Sequence, residues 1–275
     1  MRAWEAPLLD SGQVELITDQ PVAFIGDVHG HLDRLRWVLA QPAVAEAEQL
    51  VFLGDLIDRG PDSSAVVGMV RGLIEEGRAQ AIIGNHEYAL VRGLGLPAAG
   101  IPANLELFTA WCERYGGDET CASYGIDWRR ADGQEVLREA LGEDLDFIAA
   151  LPWFLWGVTG DKPWLAVHAG LDERGLVEQL SECAPQQRWL RQDLPRFLYA
   201  KDRRQSRAHD LGDEVCLVSG HTPVEAAQVS PQRILADTSG GRPGRSLSAV
   251  LWPSGQVIAS PAAGPSGRLR VISPE

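Results

Sequence analysis

Short apolar runs that end in glycine or in a polar cluster recur along the chain. Val22–Ile25 precedes Gly26-Asp27, Leu50–Leu53 precedes Gly54-Asp55, and Ala81–Ile83 precedes Gly84-Asn85. Further on, Trp164–Val167 precedes His168, Val215–Val218 precedes Gly220-His221, and Ile234–Ala236 precedes Asp237. Continuous apolar runs of this length suit strands buried on both faces. Between the first three, Leu32, Leu35, Val38 and Leu39 fall at helical spacing, as do Val66, Val67, Val70, Leu73 and Ile74 before Gly77. Strand, helix, strand, helix, strand in this order predicts right-handed crossovers and a mostly parallel sheet at the start. Leu247–Trp252, a Pro253-Ser254-Gly255 turn and Gln256–Ala259 predict a hairpin.

The stretch from about residue 88 to 161 reads as a helical insertion. Leu105–Cys112 and Gln134–Ala150 have helical periodicity, with Trp111, Trp128, Trp153 and Trp156 interspersed, mostly as packing residues. The tail from Pro261, rich in Pro, Gly and Ala, reads as a loose end. No internal repeat or linker forces a division, so the expectation is a single α/β domain over residues 1–275 with its core at about 22–260.

Composition narrows the function. The 45% hydrophobic and 23% charged residues are those of a globular protein, and a chain of 275 residues can bury a large core. The apolar runs are far too short to span a bilayer, and Met1–Asp10 has acidic residues and no extended apolar stretch. The expectation is a cytoplasmic protein without a membrane partner. Cys112, Cys121, Cys183 and Cys216 form no C-x-x-C pair, which fits free thiols in a reducing compartment. A net charge of −13 argues against a module that holds a long nucleic acid along a basic face. Phosphate chemistry stays open, provided that metal ions or a few arginines supply positive charge locally.

Ligands in open α/β sheets sit beyond the carboxyl ends of the strands. The residues expected there are Asp27 and His29, then Asp55, Asp58 and Arg59, then Asn85, His86 and Glu87, and finally His168 and His221. Four of the six histidines thus follow predicted buried strands. Singly, each element has an ordinary explanation as a helix cap, a turn or a satisfied polar residue; together, in order and at strand ends, they do not. Carboxylate, imidazole and amide oxygen suit divalent ions of intermediate hardness such as Mn, Fe or Zn. Two such ions close together would activate water and neutralise a phosphoryl group. His31 and His209 match no role.

Gly-Asp-Val-His-Gly at 26–30, Gly-Asp-Leu-Ile-Asp-Arg-Gly at 54–60, Gly-Asn-His-Glu at 84–87, His-Ala-Gly at 168–170 and Gly-His-Thr-Pro at 220–223 resemble the calcineurin-like metallophosphoesterases. Within them the chain is similar to the phosphoprotein phosphatase group, which includes bacterial Ser/Thr protein phosphatases and symmetrical diadenosine tetraphosphatases. Gly116-Gly117, Thr120 and Ser123-Tyr124-Gly125 also resemble bacterial members.

The resemblance implies a layered sandwich of central mixed β-sheets flanked by helices. It implies that Asp27, His29 and Asp55 bind one metal and that Asp55 bridges to a second held by Asn85, His168 and His221, with Mn expected and Fe or Zn as alternatives. By the same resemblance His86 is the general acid, Asp58 orients its ring, and Arg59 clamps phosphate. Trp189-Leu190-Arg191 is similar to a segment that supplies a second arginine, here Arg191, with Arg188 and Arg196 nearby. Asp237-Thr238-Ser239-Gly240 departs from the family's Asp-Thr-Gly and is left out of the site.

The leading expectation is a metal-dependent phosphatase acting on phosphate monoesters, in phosphorylated proteins or small molecules, in the manner of a Ser/Thr protein phosphatase. Hydrolysis of a dinucleoside polyphosphate such as diadenosine tetraphosphate would use the same metals with a different rim. A phosphopeptide needs an open groove, whereas a dinucleotide needs stacking or basic surfaces beside the metals. A nucleic-acid phosphodiesterase and a non-catalytic phosphate- or metal-binding module are remoter alternatives.

Overall fold

The computed structural model describes residues 15–181, 189, 196–200 and 207–262. Its strands are β1 (Glu15–Thr18), β2 (Val22–Ile25), β3 (Gln49–Phe52), β4 (Ala79–Ala81), β5 (Phe154–Thr159), β6 (Lys162–Val167), β7 (Cys216–Ser219), β8 (Gln228–Val229), β9 (Arg233–Leu235), β10 (Ser248–Trp252) and β11 (Val257–Ala259). The longer helices are α1 (Leu32–Leu39), α2 (Ser63–Glu75), α3 (Asn85–Leu94), α4 (Leu105–Tyr115), α5 (Gly117–Ser123), α6 (Gly133–Leu141) and α7 (Glu143–Ala150).

Two mixed sheets form. One has the order β11-β10-β2-β3-β4, the other β1-β5-β6-β7-β9-β8. β2, β3 and β4 are parallel, joined through α1 and α2 as the apolar spacing predicts, and the β10–β11 hairpin is antiparallel with β10 beside β2. Alternation explains why the strands read as unbroken apolar runs. Val22, Phe24, Val51, Leu53, Val250 and Trp252 meet Leu155, Trp164, Ala166, Val218 and Ile234 of the other sheet in one buried cluster. The intervening residues, Ala23, Ile25, Leu50, Phe52, Leu165 and Val167 among them, point outward into the cluster that holds the helices. Phe24 and Trp164 close the inter-sheet layer edge to face, centroids 5.0 Å apart. The result is helices on both sides of two stacked sheets, the layered sandwich that the resemblance implies.

Three segments differ from the sequence expectation. Phe154–Thr159, inside the stretch read as a helical insertion, is a core strand, antiparallel to β6 and parallel to β1. β1 itself starts the sheet before residue 22; its edge position leaves Ile17 exposed, so it carries no continuous apolar run. Gln134–Ala150 is two helices, broken at Gly142 with φ +48°. The tail beyond residue 262 lies outside the described residues, as does Cys183. Cys112, Cys121 and Cys216 are buried free thiols. No helix among the described residues is long and apolar enough to cross a membrane.

Candidate active site

The strand ends converge. Asp27 and His29 leave β2, Asp55, Asp58 and Arg59 leave β3, Asn85 and His86 open α3 behind β4, and His168 and His221 follow β6 and β7. Asp55 stands at the centre: its carboxylate lies 3.6 Å from His29 Nε2, 3.8 Å from His86 Nε2 and 3.4 Å from His168 Nε2. Two groups able to hold a cation share it, His29-Asp55-His86 and Asp55-His168-His221. Asp27 Oδ2 lies 3.9 Å from His29 Nε2, and Asn85 Oδ1 is 3.0 Å from His168 Nε2. Glycine is required at two approaches. A Cβ on Gly84 would strike the Asp55 carboxylate, and one on Gly220 the Asp27 carboxylate.

Backbone strain gathers here. Among the described residues, the non-glycine residues with positive φ are His29, Asp55, Asp58, Arg59 and His221. Each such conformation costs about 1–3 kcal/mol and persists only where surrounding structure enforces it. The enforcing bonds are visible. Val28 N and His29 N donate to Asp55 O, Arg59 N donates to Gly116 O, and His221 N donates to both Asp27 carboxylate oxygens.

Glu87 holds the Asp55 turn from behind. Its fully buried carboxylate accepts from Gly84 N, Asp55 N, Leu56 N and Ile57 N at 2.7–3.2 Å, the first being the reach-back from the third helical residue to its cap. Burial, with the Asp55 charge added, pushes the Glu87 carboxyl up to about 7. Glu87→Gln would aim an amide N–H₂ at two backbone donors, and each stranded donor costs about 1–3 kcal/mol. The variant should therefore unfold at clearly lower urea concentration than the parent; an unchanged midpoint would show that Glu87 does not hold the turn.

The donor set fits divalent cations on grounds of this structure. His29 Nδ1 donates to Ile57 O at 3.0 Å and His168 Nδ1 to Leu53 O at 2.7 Å. In both rings this anchors Nδ1 and turns Nε2 toward the Asp55 carboxylate, the usual outer support of a ligating imidazole. In His221 it is Nε2 that donates, to Tyr199 O at 3.1 Å, which leaves Nδ1 for the cluster. Burial, with His86 and Arg59 adding, holds His29 well below its ordinary value. Burial pulls His168 down, but the Asp55 charge outweighs it and raises the ring; what attracts a proton there attracts a cation. Burial beside Asp237 and Asp55 pushes Asp27 well above the carboxylate range, and burial also raises Asp237, whose Oδ2 is buried without a hydrogen-bond partner. Such crowded carboxylates call for positive charge.

Arg59 crosses this cluster. Its Nη1 lies 2.9 Å from His29 Nε2 and donates to Gly240 O, and its Nη2 lies 2.9 Å from His86 Nε2. On the far side of His86, Nδ1 donates to Asp58 Oδ2 at 2.6 Å. Arg188 and Arg191 lie outside the described residues, and Arg196 reaches toward Asp172 at 3.9 Å. His31 and His209 bond to backbone carbonyls of Gly241 and Glu173.

The family description "Calcineurin-like phosphoesterase" matches residues 20–240. The chain belongs to that family. Calcineurin-like phosphoesterases are hydrolases of phosphoester bonds that use a dinuclear divalent metal site. The chain is 34% identical over 104 residues to the asymmetrical bis(5'-nucleosyl)-tetraphosphatase PrpE of Bacillus subtilis, a match spanning 34% of this chain and 43% of the relative. To PrpE of Anoxybacillus flavithermus it is 26% identical over 253 residues, 88% of this chain and 94% of that one. In fold it is similar to a crystal structure described as a candidate diadenosine tetraphosphatase, with TM-score 0.59 and 21% identity over 94% of this chain and all of the other. It is also similar to a protein serine/threonine phosphatase of Saccharomyces cerevisiae, with TM-score 0.56 and 15% identity over 96% and 88% of the two chains.

Four residues have roles in this phosphoesterase site that the sequence does not announce. Trp111 and Thr120 both bond to Asp58, yet a buried tryptophan at helical spacing reads as packing. Glu87 was visible in its motif, without a role. Asp237, set aside for its departure from the family pattern, lies beside Asp27; the apolar run Ile234–Ala236 just before it was the available signal.

Proposed function

We propose that the protein is a two-metal phosphohydrolase acting on nucleotide polyphosphates of the bis(5'-nucleosyl) tetraphosphate type. The observation that carries the substrate class is a cavity of about 300 Å³ beside His86, between α3 and α4. Tyr88, Trp111 and Tyr115 line it together with Arg92 and Arg114. Tyr115 sets its ring 5.1 Å from that of His86, the residue read here as the proton donor. Of these rings Tyr88 and Trp111 are buried and Tyr115 is the accessible one; an accessible ring offers a sequence-tolerant surface to a base, and arginines neutralise phosphates beyond the one attacked. A phosphoserine peptide brings neither group. The names of the relatives support the same reading.

In this reading Asp27, His29 and Asp55 hold one cation, and Asp55, Asn85, His168 and His221 the other. Mn is the expected ion for such oxygen and nitrogen donors, with Fe or Zn as alternatives. When bound, the pair supplies positive charge at the phosphoryl group and acidifies the attacking water. Arg59, with Arg191 as its expected partner, grips phosphate oxygens and in doing so leaves His86 Nε2. That nitrogen then takes up a proton from solvent and passes it to the leaving oxygen as the leaving bond to phosphorus breaks and the bond from the attacking water forms, while Asp58 balances the charge on the ring. A phosphoprotein phosphatase would use the same residues around the phosphoryl group and would not need a ring beside them.

The test is a panel with Mn-loaded enzyme: diadenosine tetraphosphate, a phosphoserine peptide and 4-nitrophenyl phosphate. Tyr115→Ala should raise KM for the dinucleotide about fivefold or more, the low end of one lost base–aromatic stack, and leave the peptide unchanged. Faster turnover of the peptide, together with an indifferent Tyr115→Ala, would overturn the nucleotide reading in favour of the phosphoprotein one.

A further inference from the structure

Asp58 is fully buried, and each of its oxygens is accounted for. Oδ2 faces His86 Nδ1 at 2.6 Å and accepts from Trp111 Nε1 at 2.7 Å; Oδ1 accepts from Thr120 Oγ1 at 2.7 Å. Thr120 Oγ1 also accepts from Asp58 N at 2.9 Å, with Ser63 Oγ a further 3.0 Å away. The sheet that carries Asp58 therefore supplies neither of the two non-histidine donors. They come from α4 and α5, 53 and 62 residues further along the chain.

The junction of these helices is fitted to the Asp58-Arg59 turn. Gly116 ends α4 with φ +82°, and its carbonyl accepts from Arg59 N at 3.0 Å. A Cβ there would come within 2.9 Å of Arg59 N. Gly117 lies flat against the Trp111 indole, where any side chain would enter the ring. The pair of glycines thus lets the turn, the indole and Thr120 close on one carboxylate.

We propose that Trp111 and Thr120 are positioning residues for proton transfer: by holding both oxygens of Asp58 they fix the orientation of His86. This rests on the general-acid reading of His86 given above. Two directed donors leave the carboxylate one rotamer in which an Oδ2 lone pair meets Nδ1. Loss of either donor frees it to rotate and loosens the ring, while the residues around Asp55 keep their own supports in Glu87, Leu53 and Ile57. The burden falls on the step in which His86 acts, so it scales with how badly the leaving oxygen needs a proton. A purely structural Trp111, packed on Phe108 with centroids 5.8 Å apart, would affect every substrate alike.

The experiment compares kcat of the Mn-loaded full chain on phenyl phosphate, a basic leaving group, and 4-nitrophenyl phosphate, a good one. Trp111→Phe keeps the ring and removes the N–H; Thr120→Val removes the hydroxyl and Thr120→Ser restores it. We expect Trp111→Phe and Thr120→Val to lower kcat about tenfold or more on phenyl phosphate, the scale of one hydrogen bond to a charged group, and far less on 4-nitrophenyl phosphate. KM and metal content should stay at parental values, and Thr120→Ser should recover activity. If Trp111→Phe fails to fold, the Thr120 pair decides alone. Equal losses on both esters, or none, in a background where His86→Asn does discriminate between them, overturn the positioning role. If His86→Asn itself loses equally on both, the general-acid reading fails first.

Discussion

Asp55→Asn is expected to leave the chain with fewer than two divalent ions after gel filtration and to lower turnover by more than about 100-fold, the upper range seen for outer supports of a metal ligand alone. Asp55 is the member common to both cation-capable groups, so its loss reaches both ions at once. Burial pushes its carboxyl upward, but His168, His86 and His29 around it outweigh that and hold it well below the usual range. An amide of the same size keeps an oxygen for the bond from His86 N, 3.1 Å away, so the turn keeps its support. What the amide lacks is the negative charge that two adjacent cations require. Chelation of the parent protein should likewise abolish turnover, and Mn should restore it. Elemental analysis separates the cases: a variant that retains two ions per chain removes Asp55 from the shared position, whatever its activity.

The parts of this site that were legible in the sequence are those written in short range. A buried parallel strand is a run of apolar residues whatever its partners, and its end announces where a polar side chain of the site will stand. Hence the sequence alone puts Asp27, Asp55, Asn85, His168 and His221 at strand ends. The helix at Asn85–Leu94 was read only as a strand exit, although Gly84 and Glu87 form a cap and its third-residue carboxylate. β5 was hidden because its aromatic residues and Gly157 break the aliphatic pattern of the other strands; Gly157 is there because a Cβ would meet Leu16 O and the Trp164 ring. Long-range polar bonds were not legible at all. Nothing local to Trp111 tells that its indole N–H is directed at a carboxylate 53 residues earlier, since burial alone accounts for its spacing.

The left-handed backbone at His29, Asp55, Asp58, Arg59 and His221 shows the same limit from another side. None of these residue types favours that region as glycine does. Local preference is overruled by bonds from distant elements, chiefly Glu87 and Gly116 to the second motif and Asp27 to His221. The cost is concentrated where the side chains must point inward at one another.

His86→Asn separates proton donation from cation binding. The ring sits beside both Asp55 and Asp58, 3.8 Å from one and 2.6 Å from the other, close enough by distance alone to serve as a cation ligand. Its hydrogen bonds point otherwise: Nδ1 is committed to Asp58, and Nε2 meets Arg59, the group expected on phosphate. If His86 donates to the departing oxygen, the variant should turn over roughly 10²–10⁴-fold more slowly on esters with basic leaving groups. On 4-nitrophenyl phosphate, whose leaving group departs with little help, the loss should be much smaller. Two ions per chain should remain, because the backbone bond from residue 86 to Asp55 does not depend on the ring. Asp58→Asn should show the same dependence in weaker form, since the imidazole survives but loses the charge that balances its protonated state. A His86→Asn protein that has lost its metals would return His86 to the ligand set. Equal losses on all esters with both metals intact would instead assign His86 to holding the attacking water.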